Sequence, residues 1–334
     1  MDDKRTRILT GLALSATIVF WASAFAGIRV ALTAYTPGEV AFLRYLTASA
    51  LLAVYALATR MPLPKLRDVP MLALAGFLGF TAYNMFLNTG EMTVPAGVAS
   101  FIIASEVGII ALIARLFLKE HPGGWGWIGV LLCIAGVGII SLVPQLGGGG
   151  PASSVASGDI GIGAAGTAAG GGTGAGTAVP TASSGNEGTS GPGLPVSAGA
   201  LLVFGATLSV SIYSVMHKPL LRRYTPIQFT TYAIWAGTVF LFFFAPQALG
   251  SVSGAPAGPT LAIIYMAVLP GVAGYFGWSY VLSNMPASRA GSFLTLFPVL
   301  AVLIAWVWLG EIPDPISFAG SGVVLAGIVL VNRK

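Results

Sequence analysis

Ten apolar runs of about 20 residues each divide this chain, and about 20 apolar residues are what a helix needs to cross a bilayer. They fall at 8–31, 39–58, 69–88, 96–118, 124–143, 198–217, 226–245, 260–282, 290–309 and 315–331. Lipid offers no partner to backbone N–H and C=O groups, so each run is expected to be helical. Only 8% of the 334 residues are charged, whereas 55% are apolar. A soluble domain carries roughly 25% charge, so this composition suits lipid rather than water. The sequence predicts an all-α integral membrane protein with ten transmembrane helices.

The net charge of +5 would fit a nucleic-acid binder, but the placement of the basic residues fits a membrane. Lys4, Arg5 and Arg7 precede the first run; Arg60, Lys65 and Arg67 lie between runs 2 and 3; Arg115 and Lys119 lie between runs 4 and 5. Lys218, Arg222 and Arg223 follow run 6, Arg289 follows run 8, and Arg333 and Lys334 end the chain. Fourteen of the 16 Lys and Arg residues thus fall on one side of a ten-span chain, and positive charge marks the cytoplasmic side. Both termini are expected in the cytoplasm, in a multi-pass cell (inner) membrane protein. Only Arg29 and Arg44 break the pattern. The start resembles a signal peptide with an "ASA" cleavage site, yet its apolar run continues to Leu32, so it is read as a retained span. The single Cys133 permits no intrachain disulfide, and neither a metal nor a cofactor is expected.

The sequence contains itself twice. "VPAGVASFIIASEVGIIALIARLFLKEHP" from Val94 aligns without a gap with "MPASRAGSFLTLFPVLAVLIAWVWLGEIP" from Met285. An offset of 191 pairs Pro95 with Pro286, Glu120 with Glu311, and Gly136 with Gly327. "YTP" at 35–37 returns at 224–226, an offset of 189. Five spans per half would make the second half enter from the opposite side. Inverted repeats about a midplane site are the architecture of many secondary transporters. The halves, 8–143 and 198–332, are joined by a Gly/Ala/Ser/Thr-rich stretch, 144–197, with no aromatic residue. Such a stretch buries too little apolar area to offset its ordering entropy, so disorder outside the membrane is expected there.

These halves resemble tandem EamA domains of the drug/metabolite transporter superfamily. The residues carrying the likeness are "FWASAFAGIRVAL…TPGEVAFLRYL" in the first copy, "YVLSNMPASRAGSFLTLFPVLAVLIAWVWLGE" in the second, and Leu-[Lys/Gly]-Glu-x-Pro after runs 4 and 9. The resemblance implies ten helices around a central cavity and export or exchange of small metabolites without ATP. One position departs from it. Val107 stands where many relatives have proline, as Pro298 does in the second copy, so run 4 is expected to be straighter than run 9.

Catalysis finds little support. The only four-glycine run, 147–150, is followed by Pro151 and makes no phosphate-binding loop. His121 and His217 sit at span ends, and every Asp lies outside the runs, which leaves an intramembrane protease without its groups. Glu106 is the exception at depth. It sits at the middle of run 4, opposite a face of small residues, Gly97, Ser100, Ala104, Gly108 and Ala111, suited to close packing. A carboxylate facing lipid costs about 2.5–3.5 kcal/mol, so a cavity is favoured. Two readings stay open: Glu106 meets substrate or proton, or it pairs with Arg44 and locks runs 2 and 4 together. Arg44 is otherwise structural, gating or snorkelling. Asn84, Asn88 and Tyr83 in run 3, Tyr275 and Trp278 in run 8, and Trp21 and Tyr213 in runs 1 and 6 are the remaining candidates for substrate binding, or else for packing. Glu120 and Glu311 precede spans that begin near Pro122 and Pro313, where a carboxylate favours a helix N-terminus.

The expected protein is a secondary transporter that moves a small organic metabolite, such as an amino acid, outward or by exchange. Its partners would be that solute, a coupled proton and the bilayer, with no nucleic acid; a homo-oligomer is left open. A sugar- or phosphate-linked exchanger is disfavoured because no basic residue lies at the midplane. A scaffold or sensor is disfavoured because the cytoplasmic loops are short.

Overall fold

A helix in lipid can begin only where its orphan N–H groups find partners, and the chain uses one device for this in both halves. At Thr36-Pro37, Glu39 Oε2 accepts from the Thr36 N–H at 2.7 Å. At Thr225-Pro226, Gln228 Oε1 accepts from the Thr225 N–H at 3.0 Å, and the Gln228 N–H donates to Thr225 Oγ1 at 3.3 Å. These are capping boxes with proline in the first turn, and they explain why "YTP" recurs. The tyrosines have parallel tasks. Tyr35 OH lies 2.6 Å from Thr260 Oγ1, and Tyr224 OH donates to Asp68 Oδ2 at 2.8 Å.

The computed structural model describes residues 2–118, 124–141, 197–221, 223–285 and 293–331. Among them all regular structure is helical. In the first half these helices are α1 (Asp2–Ala31), α2 (Pro37–Ala58), α3 (Val69–Gly76), α4 (Tyr83–Gly90), α5 (Ala96–Ala104), α6 (Glu106–Leu118) and α7 (Gly124–Ser141). In the second they are α8 (Ala198–Leu220), α9 (Pro226–Leu241), α10 (Ala245–Val252), α11 (Ala257–Val268), α12 (Gly274–Asn284), α13 (Phe297–Leu309) and α14 (Pro315–Val331). Six continuous stretches are long and apolar enough to cross a membrane: Lys4–Ala31, Pro37–Ala58, Leu66–Gly90, Ala198–Met216, Pro226–Val252 and Ala257–Val281. Four shorter apolar helices, Ala96–Ile110, Trp127–Ile140, Phe297–Leu309 and Pro315–Leu330, complete the described set. The linker up to residue 196, Glu120, His121 and Arg289 lie outside the described residues, as does the His217 side chain.

Each half lends its first helix to the other. α1 packs on α11, α12 and α13, while α8 packs on α4, α5 and α6. α9 lies against α2 and α3, and α2 also meets α11. The most extensive seam joins α7 to α14, and glycines make it. A Cβ added at Gly136 would stand 2.6 Å from Val324 Cγ2 and 2.7 Å from the Gly320 oxygen. At Gly327 it would stand 2.7 Å from both the Cys133 nitrogen and the Gly129 oxygen. Swapping the halves by the offset of 191 turns the first set of neighbours into the second. Two more pairs follow the repeat. Ser49 Oγ lies 2.8 Å from Thr238 Oγ1, 189 residues on, and Cys133 Sγ approaches the Val324 oxygen, 191 residues on, at 3.8 Å.

The small-residue face expected on run 4 is used for close packing at its two glycines. Gly97 leaves 2.9 Å to Val302 of α13, and Gly108 leaves 3.2 Å to Cys133 of α7. The seam yields a test. Gly327→Val should overpack α7 against α14 and cost about 1–3 kcal/mol, which lowers the melting midpoint of the purified protein. Gly322→Val, on the same helix with nothing within 4 Å of its added Cβ, should leave the midpoint unchanged.

Candidate functional site

Four interruptions break the helical geometry of the described residues. Between α3 and α4 the chain makes a π-turn, Phe77–Ala82, and between α11 and α12 another, Leu269–Ala273, about 191 residues later. In the second, Pro270 has no N–H to give the ladder. In the first, Gly79 takes the matching place, and a Cβ there would fall 2.5 Å from the Tyr213 ring. The third interruption separates α5 from α6 at Ser105, and the fourth is the tight turn Leu294–Leu296 before α13. Run 4, expected to be straighter than run 9, is thus interrupted as run 9 is. Without proline, the Ser105 hydroxyl and N–H both donate to the Ile102 oxygen, at 2.6 and 3.2 Å, and the helix restarts at Glu106. Pro298 is buried in the first turn of α13.

At three of these interruptions polar side chains collect carbonyl oxygens. Asn84 Nδ2 donates to the Phe80 oxygen at 2.8 Å, and Ser209 Oγ to the Leu78 oxygen at 2.8 Å. Trp21 Nε1 donates to the Pro270 oxygen at 3.2 Å, and Thr207 Oγ1 to the Ile102 oxygen at 3.2 Å. Non-helical backbone at membrane depth survives only where such partners exist.

Glu106, Tyr83 and Tyr275 are each partly buried and come together inside the bundle. Tyr83 and Tyr275 both lie within electrostatic reach of Glu106 and of Arg44. Arg44 does not snorkel. It is buried, with its guanidinium carbon 5.3 Å above the Tyr45 ring and Nη1 at 3.5 Å from Asn84 Oδ1, a long contact. Asn84 itself is fully buried and also donates to Tyr45 OH at 2.9 Å. Arg44 Nε is buried without a partner. No ion pair joins Arg44 to Glu106 among the described residues, so the lock between runs 2 and 4 is not formed here. The region thus holds a cation and a carboxylate that do not neutralise one another.

Aromatic rings form the opposite wall. Trp21 lies 5.5 Å from Tyr275 and 5.7 Å from Trp278 between ring centroids. Phe80, which sequence reasoning missed, ties the clusters together, lying 5.3 Å from Tyr45, 5.6 Å from Tyr213 and 6.3 Å from Tyr275. Asn88 stands apart from this group. It is buried and donates to the Pro37 oxygen at 3.0 Å, holding α4 to the start of α2.

Glu311 also departs from expectation. It does not cap the helix that follows it. Its Oε2 accepts from the Ala96 N–H at 2.9 Å, at the start of α5, and its Oε1 accepts from Arg29 Nε at 2.9 Å. Asp314 caps α14 instead, accepting from the Ile316 and Ser317 N–H groups at 3.0 and 2.9 Å. Burial pushes the Asp314 carboxyl up, but those bonds and the Ser317 side chain outweigh it and hold the group below the usual carboxylate range. Sequence reasoning missed Glu91 as well, because it lies past the end of run 3, where an acid ordinarily meets water.

These contacts predict unequal costs. Glu106→Gln removes a charge with no ion-pair partner, so its melting midpoint should stay within about 2 °C of wild type. Asn84→Leu strands Tyr45 OH, the Phe80 oxygen and Arg44, at about 1–3 kcal/mol for each buried group left unmet, and should lower the midpoint by several degrees.

Comparison with known proteins agrees with this architecture. The model of the EamA-like transporter family matches residues 9–142 and again 197–333. The uncharacterized transporter YdfC of Bacillus subtilis (strain 168) is 35% identical over 334 residues, covering 100% of this chain and 94% of the relative. A "probable terminal-alkyne amino-acid exporter" of Streptantibioticus cattleyicolor is 34% identical over 323 residues, covering 96% and 93%. A solved structure described only as the crystal structure of a protein shares the fold at a TM-score of 0.56 and 17% identity, over 96% of this chain and 94% of that one. Two family matches in tandem, on a helical frame with membrane-length apolar segments, place the chain in the EamA-like transporter family of membrane proteins.

Proposed function

We propose that this protein is a secondary transporter of the cell (inner) membrane that exports or exchanges an amino-acid-like zwitterion by alternating access. The observation that carries the reading is the interior region bordered by Tyr83, Tyr275 and Glu106, with Arg44 behind it and no pairing of the two charges. A solute with a carboxylate for Arg44 and an ammonium for Glu106 would supply to each the partner it lacks. The aromatic wall of Trp21, Tyr275 and Trp278 suits an apolar side chain. A doubly charged phosphate would meet Glu106 as a like charge. The relative named as an amino-acid exporter supports the solute class and the outward direction. No group arranged for catalysis or ATP hydrolysis is part of this reading, which makes the protein a carrier and not an enzyme.

The mechanism requires two equivalent halves of five spans, ten in all, inserted in opposite senses and rocking about the site. Ser49 with Thr238 and Cys133 with Val324 support this, because matched residues that touch, together with the reciprocal neighbours of Gly136 and Gly327, fit a twofold relation between the halves. The packing of α1 on α11, α12 and α13, mirrored by α8 on α4, α5 and α6, supports it too. Both termini then lie in the cytoplasm, and Arg29, Glu91 and Glu311 lie at the outer end.

Counterflow into proteoliposomes against a panel of amino acids, sugars and phosphate esters tests the substrate class. Glu106→Gln and Arg44→Gln should each reduce exchange about tenfold or more, a loss of about 1.4 kcal/mol in the limiting step. A folded Glu106→Gln protein with wild-type exchange at every pH would sink the site. Orientation is tested by cysteines in a Cys133→Ala background. Met92→Cys and Ser253→Cys, both exposed, should react with an impermeant maleimide in whole cells. Leu63→Cys, 82% exposed, should react only after the membrane is opened. The reverse pattern would overturn the orientation.

A further inference from the structure

Glu91 has a position that the central site does not explain. It is wholly buried, and neither carboxyl oxygen has a hydrogen-bond partner. A buried ionised carboxylate without donors is too costly to persist, so the group is protonated here or finds a cation on losing its proton. The nearest cation is at hand. Arg29 Nη1 already donates to the backbone oxygen of Glu91 at 2.5 Å, while its Nε pairs with Glu311. Glu311 in turn holds the Ala96 N–H, so Arg29 and Glu311 fasten the loop after α13 to α1 and to the first turn of α5. Both side chains of that pair keep 20–26% of their surface accessible, so Glu311 can reach water if Arg29 leaves it.

The charged groups facing Glu91 are Arg29 from α1, Arg44 from α2 and Glu311 from the loop after α13. The neighbouring part of α8 presents Gly199 and Val203 to Gly90 and adds no charge. Burial pushes the Glu91 carboxyl well above the usual carboxylate range; Arg29 opposes this, Glu311 adds to it, and Arg44 opposes it.

We propose that Glu91 is a proton-binding site, separate from the residues around Glu106, whose occupancy sets whether Arg29 holds Glu311 and closes this end of the bundle. With the proton bound, Glu91 is neutral and the Arg29–Glu311 clasp stands as seen. When the proton leaves to water, the Glu91 carboxylate draws the guanidinium to itself. Glu311 is released to solvent, and the Ala96 N–H loses its acceptor. The clasped state therefore holds one proton more than the released state, so rising pH favours release. That the bound proton is the one coupled to solute movement rests on the transporter reading; the clasp itself does not.

Hydrogen–deuterium exchange on the full chain in lipid nanodiscs reads the clasp without any solute. After correction for the intrinsic exchange rate, protection of the amides at Ala96–Val98, compared at about pH 5.5 and pH 8.5, should fall about tenfold or more as the pH rises and the Glu91 proton is lost. Glu91→Gln should keep the low-pH protection throughout, and Arg29→Gln should show weak protection throughout. Equal wild-type protection at both pH values would overturn the proposal, as would a Glu91→Gln protein that loses protection as wild type does. Should Glu91→Gln fail to fold, the wild-type series decides alone. A failed counterflow panel would remove the substrate reading and leave the clasp standing. A flat exchange profile with intact counterflow would remove the clasp alone.

Discussion

The demand that every backbone polar group in the bilayer find a partner inside the protein governs this structure. Uninterrupted helices meet it by themselves. An interrupted one has to be rescued by a side chain, and here the rescues converge. Asn84, Ser209, Trp21 and Thr207 each donate to a carbonyl oxygen at a π-turn or a helix break. Those interruptions displace helix from regular register where Tyr83, Glu106 and Tyr275 border the interior. Two of these four donors, Asn84 and Trp21, are also candidate site residues. π-turns inside helices often mark functional positions, and a pair of them at matching places in two halves strengthens that association.

Much of this frame was legible in the sequence because lipid imposes a simple code. Apolar run length gave the helices, and self-alignment gave the two copies whose matched residues meet at Ser49–Thr238 and Cys133–Val324. Glu106 was legible because a charge inside an apolar run is rare. The interruptions were not. The π-turn at 77–82 contains no proline, and at Ser105 the backbone N–H turns to the Ile102 oxygen three residues back, which local pattern does not announce. Arg44 could be named but its surroundings could not, since its contacts are to Asn84, 40 residues away, and to Tyr45.

The charged residues at the far end show the same division. Glu311 was expected to serve the helix that follows it, because sequence shows only neighbours along the chain. In space it serves Ala96 and Arg29, more than 200 residues distant, while Asp314 takes the capping task. Arg29, one of the two basic residues that break the charge pattern of the sequence, has a carboxylate partner in Glu311. Its place also gives Glu91 a cation within reach. The opposite end has a counterpart in Asp68, which accepts from Arg223 and Tyr224 and so also joins the halves.

The backbone repeats, but the chemistry does not. By the repeat, Arg44 corresponds to Ala233, Glu106 to Phe297, and Asn84 to Tyr275. At these three positions the first copy has a cation, a carboxylate and an amide, while the second has an alanine and two rings. A symmetric frame can be exchanged between two states at little difference in energy, because each half can take the other's conformation. A solute with distinct ends needs the opposite, since two identical walls would bind it equally well in either orientation. On the proposed function, repetition in the glycine seams and π-turns, joined to divergence at three side-chain positions, would meet both needs in one chain. A carrier of this kind is therefore expected to change substrate by substitution at the unmatched positions, while the glycine seam between α7 and α14 stays fixed.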